Sequence, residues 1–369
     1  MKILVTGAKG FIGKNLIAEL KNRGYTDILE YDMSTDPSLL DTYCQEAEFI
    51  FHLAGVNRPK EQSDFMVGNF GFTSILLDAL RKHKNTCPVM ISSSIQAALD
   101  NPYGESKKAG EQLMMDYESE TGTKVLIYRF PNVFGKWCKP NYNSAVATFC
   151  HNTAHDLPIT VNDPSVEMNL VYVDDVVNEL INAINGKENR TNDFCEVNPV
   201  HEITLGKIVE LIESFKTSRE LRSVPDMSDA FTKKLYSTYL SYLPTDQFSY
   251  DLKMNVDDRG SFTEFIKTPD RGQVSVNVSK PGITKGNHWH HTKNEKFLVV
   301  AGVGVIRFRD INSDEIIEYF VSDEKFEVVD IPTGYTHNIE NLGTTDMVTI
   351  MWVNEVFDPE QPDTYFEEV

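Results

Sequence analysis

Two different rhythms of apolar and polar residues divide this 369-residue chain. In the first half, short apolar runs alternate with amphipathic stretches. Ile3–Val5, Ile28–Tyr31, Phe49–Leu53, Val89–Ile91 and Val125–Tyr128 read as strands. Between them, Lys14–Asn22, Phe70–Lys82 and Ser106–Glu120 carry apolar residues at helical spacing, and Val176–Asn185 and Thr204–Phe215 predict two more helices. Such alternation builds parallel βαβ units. The expected architecture is therefore α/β, a Rossmann-like doubly wound parallel sheet with helices on both faces.

The rhythm changes near Leu243-Pro244. From about Phe262 onward, short stretches rich in Val, Ile, Phe and Thr are separated by turn signals: Pro269-Asp270-Arg271-Gly272, Pro281-Gly282, Asn312-Ser313-Asp314 and Pro332-Thr333-Gly334. That pattern predicts an all-β sandwich or barrel. A chain of this length is long for one core. Two domains are expected, 1–243 and 244–369, with Arg219–Phe248 as a helical connector.

Composition narrows the partners. Hydrophobic residues make up 41% and charged residues 24%, as in ordinary globular proteins. The net charge of −20 repels nucleic acid and anionic lipid, so neither nucleic acid nor membrane is expected as a partner. A phosphate can still be held locally by main-chain N–H groups. No apolar run reaches the roughly 20 residues of a membrane-spanning helix. The first residues lead directly into an apolar strand, without the pattern of a signal peptide. Cys44, Cys87, Cys138, Cys150 and Cys195 are scattered and form no CxxC pair, as expected of reduced thiols in a cytoplasmic protein.

Thr6-Gly7-Ala8-Lys9-Gly10-Phe11-Ile12-Gly13 joins the first strand to the first helix. Gly7 suits a tight turn, Gly10 lets a pyrophosphate approach the backbone, and Gly13 allows close helix–strand packing. Lys9, Phe11 and Ile12 belong to the same junction, where the helix start favours phosphate charge. Asp32 ends the second strand, where an acid can bond the adenosine ribose of NADH. Lys9 could instead pair with the 2′-phosphate of NADPH. Farther on, Ser92-Ser93-Ser94 ends a strand, and Tyr103 and Lys107 follow at i and i+4, on one face of a helix. A lysine ammonium near the phenol would lower its pKa and suit it to acid–base work.

These residues resemble the extended short-chain dehydrogenase/reductase family, over roughly the first 240 residues. His52-Leu53-Ala54-Gly55 is similar to the family's segment after its fourth strand, and Asn69 to its structural asparagine, which implies that Leu53, Ala54 and Asn69 border the cofactor. Arg129-Phe130-Pro131-Asn132-Val133-Phe134-Gly135 is similar to R-x-x-N-V-Y-G, which implies that Arg129 and Asn132 meet substrate. Val171-Tyr172-Val173-Asp174-Asp175 is similar to a late family motif. Two departures stand out: the Ser94–Tyr103 interval is short, and Phe134 occupies the motif's tyrosine position. The resemblance implies hydride transfer to a sugar ketone. Tyr103 would protonate the alkoxide and Ser94 would bond the same oxygen, with Ser93 as substitute if the register slips by one. Lys107 would hold the nicotinamide ribose.

The second half carries Gly282-x5-His288-x-His290-x4-Glu295-x6-Gly302 and Pro332-x-Gly334-x2-His337-x3-Asn341, the latter preceded by Phe326 where a glycine is usual. Over about the last 120 residues this resembles the cupin superfamily, a double-stranded β-helix or jelly roll. His288 and His290 are two apart and share a strand face. With Glu295 and His337 they make a set suited to a first-row divalent metal, acting as a Lewis acid or a structural staple. Asp257-Asp258-Arg259-Gly260-Ser261-Phe262-x-Glu264 and Gln273-Val274-Ser275-Val276-Asn277 are similar to cupin-fold 4-keto-sugar epimerases. Because the metal takes His290, their usual base, the candidate acid–base residues are Lys285, His291 and Tyr335.

Inversion beside a ketone needs the acidity that the ketone confers, and reduction ends that acidity. An epimerase and a reductase on one chain therefore form a sensible order. The combination resembles bifunctional capsule-biosynthesis enzymes acting on a UDP-4-keto-6-deoxy-hexosamine, with inversion at C3 and reduction at C4 on the route to UDP-N-acetyl-L-fucosamine. That resemblance implies NADPH, zinc and a homodimer. The alternative is a reductase whose cupin only binds sugar or joins subunits; a redox-sensing dinucleotide binder is a further one. His151 and His155, spaced i and i+4, read as surface residues without a third ligand, and Met114 and Met115 as helix packing.

Overall fold

The structure, a computed structural model, describes residues 1–369. It consists of two compact units: Met1–Glu213 with Ser228–Pro244, and Ser214–Met227 with Thr245–Val369. The expected boundary at 243/244 thus misses one segment, Ser214–Met227, which belongs to the second unit. Its side chains explain the assignment. Arg222 Nη2 donates to Glu264 Oε2 at 2.8 Å, and the Arg222 carbonyl accepts from Lys267 N at 3.0 Å.

In the first unit, β1 (Ile3–Thr6), β2 (Ile28–Tyr31), β3 (Phe49–His52), β4 (Val89–Ser94) and β5 (Val125–Phe130) lie parallel in the order β2-β1-β3-β4-β5. β6 (Asn132–Phe134), β7 (Glu167–Tyr172) and β10 (His201–Thr204) form a small separate sheet, while the two-residue strands β8 (Arg190–Thr191) and β9 (Phe194–Cys195) extend the main one. The connecting helices are α1 (Phe11–Asn22), α2 (Leu39–Glu46), α3 (Phe72–His83), α4 (Pro102–Thr121), α5 (Ala145–Ala154) and α6 (Val173–Ile184), followed by α7 (Leu205–Leu221) and α8 (Ala230–Leu240).

The period-two geometry of β1 divides the core between two faces. Ile3 and Val5 pack with Leu16 and Leu20 of α1 and Val177 and Leu180 of α6. Leu4 points the other way, to Leu76 and Leu80 of α3 and Met114 and Tyr117 of α4. Both faces are thus covered, and the sheet is Rossmann-like as expected. All five cysteines are free and buried. No helix is long and apolar enough to cross a membrane.

The second unit is all-β and antiparallel. Its strands are β11 (Met254–Asp257), β12 (Gly260–Thr268), β13 (Gly272–Ser279), β14 (Thr284–Trp289), β15 (Glu295–Ala301), β16 (Val303–Asp310), β17 (Ile316–Ser322), β18 (Val328–Ile331), β19 (Tyr335–Asn341), β20 (Met347–Val353) and β21 (Tyr365–Phe366). They form two sheets, β11-β12-β13-β20-β15-β18 and β17-β16-β19-β14-β21. Phe297, Val329 and Ile331 of the first pack with Ile306, Phe308 and Ile339 of the second, so the sheets face each other as a jelly-roll sandwich. The turn signals at Pro269–Gly272, Pro281-Gly282, Asn312–Asp314 and Pro332–Gly334 each fall between consecutive strands.

Ile306 is fully buried in this core. Ile306→Ala should lower the stability of the second unit by about 2–5 kcal/mol, measured by urea unfolding followed at Trp289 and Trp352.

Candidate functional site

The glycine loop of the first unit is set by close contacts. Gly7 has φ 69°, and a Cβ there would lie 2.7 Å from Ala54 N. This places the loop against Leu53-Ala54. A Cβ on Gly13 would lie 2.3 Å from the Gly7 carbonyl oxygen, so only glycine lets α1 start here. Gly10, the N-cap, provides no side-chain acceptor, and the first turn holds no acidic residue. The first N–H groups of α1, beginning at Phe11 and Ile12, are therefore open to an anion. Asp32 Oδ2 accepts from Lys9 N at 2.9 Å and Oδ1 from Met33 N at 2.8 Å. Lys9 Nζ donates to Ser34 Oγ, a partner the sequence reading did not single out.

The Ser94–Tyr103 interval is spanned by one 3₁₀ turn, Ile95–Ala98. α4 begins directly on it: Asn101 Oδ1 caps Gly104 N at 2.9 Å, and a Cβ on Gly104 would meet Gln96 O at 2.2 Å. That close approach explains how so short a segment still brings Tyr103 to Ser94. Burial pushes the Tyr103 phenol above its ordinary pKa, and a hydrogen bond with Ser94 pulls it down. Lys107 corrects an expectation. Its Nζ donates to the Ser92 carbonyl at 3.0 Å and lies 5.9 Å from the Tyr103 ring centre, so Ser94, not Lys107, opposes the rise. Burial lowers Lys107 itself to about 8, with Glu111 acting in the other direction. Asn69 bonds Val56 N, Val56 O and Ser106 Oγ at 2.8–2.9 Å. Its Oδ1 and Lys107 Nζ both flank Gly55, so the lysine stands beside the loop that follows β3.

Two other expectations change. Ser93 Oγ donates to Glu111 Oε1 at 2.5 Å and is not a substitute for Ser94. Arg129 is committed to structure: Nε and Nη2 donate to Glu111 at 2.8 and 2.6 Å, and its guanidinium lies 3.7 Å from the Phe194 ring centre. Glu111 is 2% exposed, so this pair neutralises a buried carboxylate rather than facing a substrate. Asn132 opens β6 and is exposed, whereas Phe134 is buried against Tyr172 and Phe231.

The second unit brings His288, His290, Glu295 and His337 together, with one ligand atom of each within 4.8 Å of the others. A bulge in β14 makes this possible. Gly286 pairs with Asn338 and His288 with His337, leaving Asn287, at φ 59°, as the extra residue. The bulge reverses the alternation, so Lys285 and His288 line the same cavity although they are three apart. Glu295 comes from the opposite sheet. Its Oε2 lies 3.2 Å from His337 Nε2 and 3.7 Å from His290 Nε2.

His290 Nε2, His337 Nε2 and Glu295 Oε2 are buried without a hydrogen-bond partner. His290 Nδ1 donates to the Asp363 carbonyl at 2.6 Å, which leaves the Nε2 lone pair free. Burial, then His337, pushes His288 down to about 4, so it is neutral. Burial pushes Glu295 up, but the neighbouring His290 and His337 rings outweigh it and hold it at about 2. Three imidazoles and an ionised carboxylate converging with unsatisfied atoms fit a divalent first-row metal.

The adjoining cavity encloses about 650 Å³. Its wall includes Gln273, Ser275 and Asn277 of β13, each 2% exposed, while Val274, Val276 and Val278 of the same strand are only half-buried. The usual alternation is inverted here, and that polar period of two is the sequence signal for a wet inner face. Lys285 Nζ donates to Asn277 Oδ1 and Val278 O, both at 2.8 Å, and burial lowers its pKa. Asp257 and Arg259, an ion pair at 2.6 Å, also line the cavity. His291 and Tyr335 do not. The exposed His291 ring rests 4.6 Å from Trp289 and 5.0 Å from Tyr365, and Tyr335 packs against the sandwich core. His151 and His155 stack at 4.0 Å and gather no third ligand.

One unit thus gathers Ser94, Tyr103 and Lys107 near a glycine loop at a helix start, and the other is a β-sandwich with a metal-competent cavity. The chain belongs to the NAD dependent epimerase/dehydratase family, whose model matches residues 3–195. Residues 255–365 match the polysaccharide biosynthesis C-terminal domain. The chain is 46% identical over 365 residues to the UDP-2-acetamido-2,6-beta-L-arabino-hexul-4-ose reductase of Pseudomonas aeruginosa, covering 99% of this chain and 98% of that one. The capsular polysaccharide assembling protein CapF from Staphylococcus aureus is similar at 61% identity, with a TM-score of 0.96 and full coverage of both chains. UDP-glucuronic acid 4-epimerase from Bacillus cereus, solved with UDP-glucuronic acid and NAD, shares the fold alone: 20% identity and a TM-score of 0.56 over 66% of this chain and 98% of that one.

Lys107 gives a pH-dependent prediction. Its folded pKa of about 8 lies below the ordinary value of 10.5, so the unfolded chain binds more protons between those limits. The destabilisation from burying it is fully present below pH 8 and fades as pH rises towards 10.5. Lys107→Met should therefore gain stability over wild type at pH 7 and lose that advantage by pH 10, measured by urea unfolding at both values.

Proposed function

We propose that this chain is a bifunctional nucleotide-sugar enzyme of capsular polysaccharide biosynthesis. Its second unit, read as a cupin, inverts C3 of a UDP-4-keto-6-deoxy-hexosamine. Its first unit then reduces the C4 ketone, on the route to UDP-N-acetyl-L-fucosamine. The observation that carries this reading is the presence of a proton-donor pair, Ser94 and Tyr103, in one unit and a polar cavity of sugar-nucleotide scale in the other. The relative named for a hexul-4-ose, a 4-ketone, supports the substrate class.

In the cavity, Lys285 is the one of the three candidate bases that reaches the substrate space. With two N–H groups spent on Asn277 and Val278, a neutral Lys285 amine keeps its lone pair for the C3 proton. Transfer of that proton to Lys285 gives an enolate and an ammonium, a proton delivered from water to the opposite face of C3 completes the inversion, and Lys285 returns its proton to solvent. His288, His290, Glu295 and His337 would hold zinc, which when bound supplies Lewis acidity or braces the cavity wall. Gln273, Ser275 and Asn277 offer hydrogen bonds to sugar hydroxyls. A lysine within this cavity favours catalysis over a merely sugar-binding or subunit-joining role for the cupin.

In the first unit, NADPH supplies the hydride when bound. Tyr103 Oη gives its proton to the oxygen that becomes an alkoxide, and Ser94 Oγ bonds the same oxygen. Lys107 and Asn69 border the nicotinamide half, and Gly7–Gly13 the pyrophosphate. Lys9 Nζ beside Ser34 Oγ suits a 2′-phosphate, and Asp32 is already occupied by two main-chain N–H groups, which favours NADPH over NADH. A cytoplasmic homodimer completes the reading, following the same resemblance.

Tyr103→Phe tests the reductase step. With the 4-keto-sugar nucleotide, NADPH oxidation should fall by about 10²–10⁴-fold while NADPH binding, followed by fluorescence, stays close to wild type. Oxidation at the wild-type rate would remove Tyr103 from the reaction.

A further inference from the structure

The last residues of the chain lie on the metal-competent cluster of their own unit, seventy-three positions after His290 in the case of Asp363. Asp363 holds that histidine in two ways. Its main-chain carbonyl accepts the Nδ1 proton of His290 at 2.6 Å, which directs Nε2 towards Glu295. Its carboxylate secures the turn that follows: Oδ1 accepts from His291 N at 3.0 Å, and Oδ2 from Thr292 N and Lys293 N at 2.9 Å and from Thr292 Oγ1 at 3.0 Å. Neighbouring tail residues reach the other histidine of β14. β21 pairs with β14, placing Phe366 opposite His288. Glu367 N donates at 3.0 Å to the carbonyl of Asn287, the bulge residue that turns His288 into the cavity. Glu367 is itself held by Arg309, whose Nη2 donates to its Oε1 at 2.8 Å and to the Glu368 carbonyl at 2.7 Å.

One short terminal strap thus holds the His290 ring directly and the main chain on either side of His288. A histidine ligand needs its second nitrogen held if the ring is to present the first at a fixed angle, and loss of such an outer partner typically weakens metal affinity by about 10–100-fold. We infer that Asp363 is a positioning residue for the metal site, and that residues 362–368 form a clamp that presets His288 and His290 before an ion arrives. This rests on the metal reading of the cluster.

The test uses the full-length protein as wild type, Asp363→Ala and Asp363→Asn. Zinc affinity is read by competition with a chromophoric chelator, and ligand geometry by the visible absorption of the cobalt-substituted protein. Asp363→Ala keeps the carbonyl that holds His290 but frees it from the 291–293 turn, and should weaken zinc binding by up to about 10–100-fold, with an altered cobalt spectrum. Asp363→Asn keeps one acceptor oxygen for the turn and should lose less. A merely structural role would lower the melting temperature and leave both metal readouts unchanged. Zinc affinity within about twofold of wild type, with an unchanged cobalt spectrum, would overturn the inference. If Asp363→Ala does not fold, Asp363→Asn decides by the same criteria: weaker zinc binding supports the clamp, and wild-type values refute it. If wild type itself binds no zinc, the metal reading fails and the clamp with it, an outcome distinguished by its appearance before any substitution.

Discussion

A two-sheet sandwich gains stability by closing an apolar core, and the second unit leaves part of its interior polar. Gln273, Ser275 and Asn277 are buried where β13 would ordinarily present valines, and four ligand side chains converge with orphaned nitrogen and oxygen atoms. Burying such atoms unpaired costs free energy, which an ion and a polar ligand bound at this end of the sandwich would offset. The rest of the unit serves that end. The apolar cluster around Phe297, Ile306 and Ile339 supplies the cohesion, the bulge at Asn287 sets which side chains face inward, and the terminal strap fixes the histidine ring that the bulge alone would leave loose.

The first unit resolves a different constraint. A phenol that gives up a proton during hydride transfer must be partly dry, yet drying raises its pKa. Ser94 counters the rise through a direct hydrogen bond, and the short 3₁₀ turn beneath Gly104 brings the two groups together. Lys107, buried and turned to the Ser92 carbonyl, stands beside Asn69 and Gly55. Under the proposed function, chemistry orders the two units: the carbon beside a ketone can be inverted only until the ketone is reduced.

Much of this was legible in the sequence wherever the information is local. The apolar runs marked the first five parallel strands, the turn signals marked four junctions of the sandwich, and motif spacing picked out the four side chains that cluster, because strand geometry turns spacing into direction. What depended on distant partners was not legible. Arg129 looked like a substrate contact until Glu111, eighteen residues earlier on α4, was seen to occupy its guanidinium. Lys285 could not be preferred over His291 and Tyr335 without the bulge, because simple alternation places residues 285 and 288 on opposite faces. Asp363 carries no local signal at all, since its significance lies in a contact made across most of the second unit. The inverted polarity of β13 was visible in the letters, but only the packing shows which face is inside.

Under the proposed function, two sites act separately on one substrate. The most direct test of this is proton NMR of the UDP-4-keto-6-deoxy-hexosamine in D₂O without nicotinamide, comparing wild type, Tyr103→Phe and Lys285→Ala. Deuterium should enter at the carbon beside the ketone with wild type and with Tyr103→Phe, and its entry should be lost or strongly slowed with Lys285→Ala. No exchange with wild type, or exchange that requires Tyr103 and survives loss of Lys285, would contradict it.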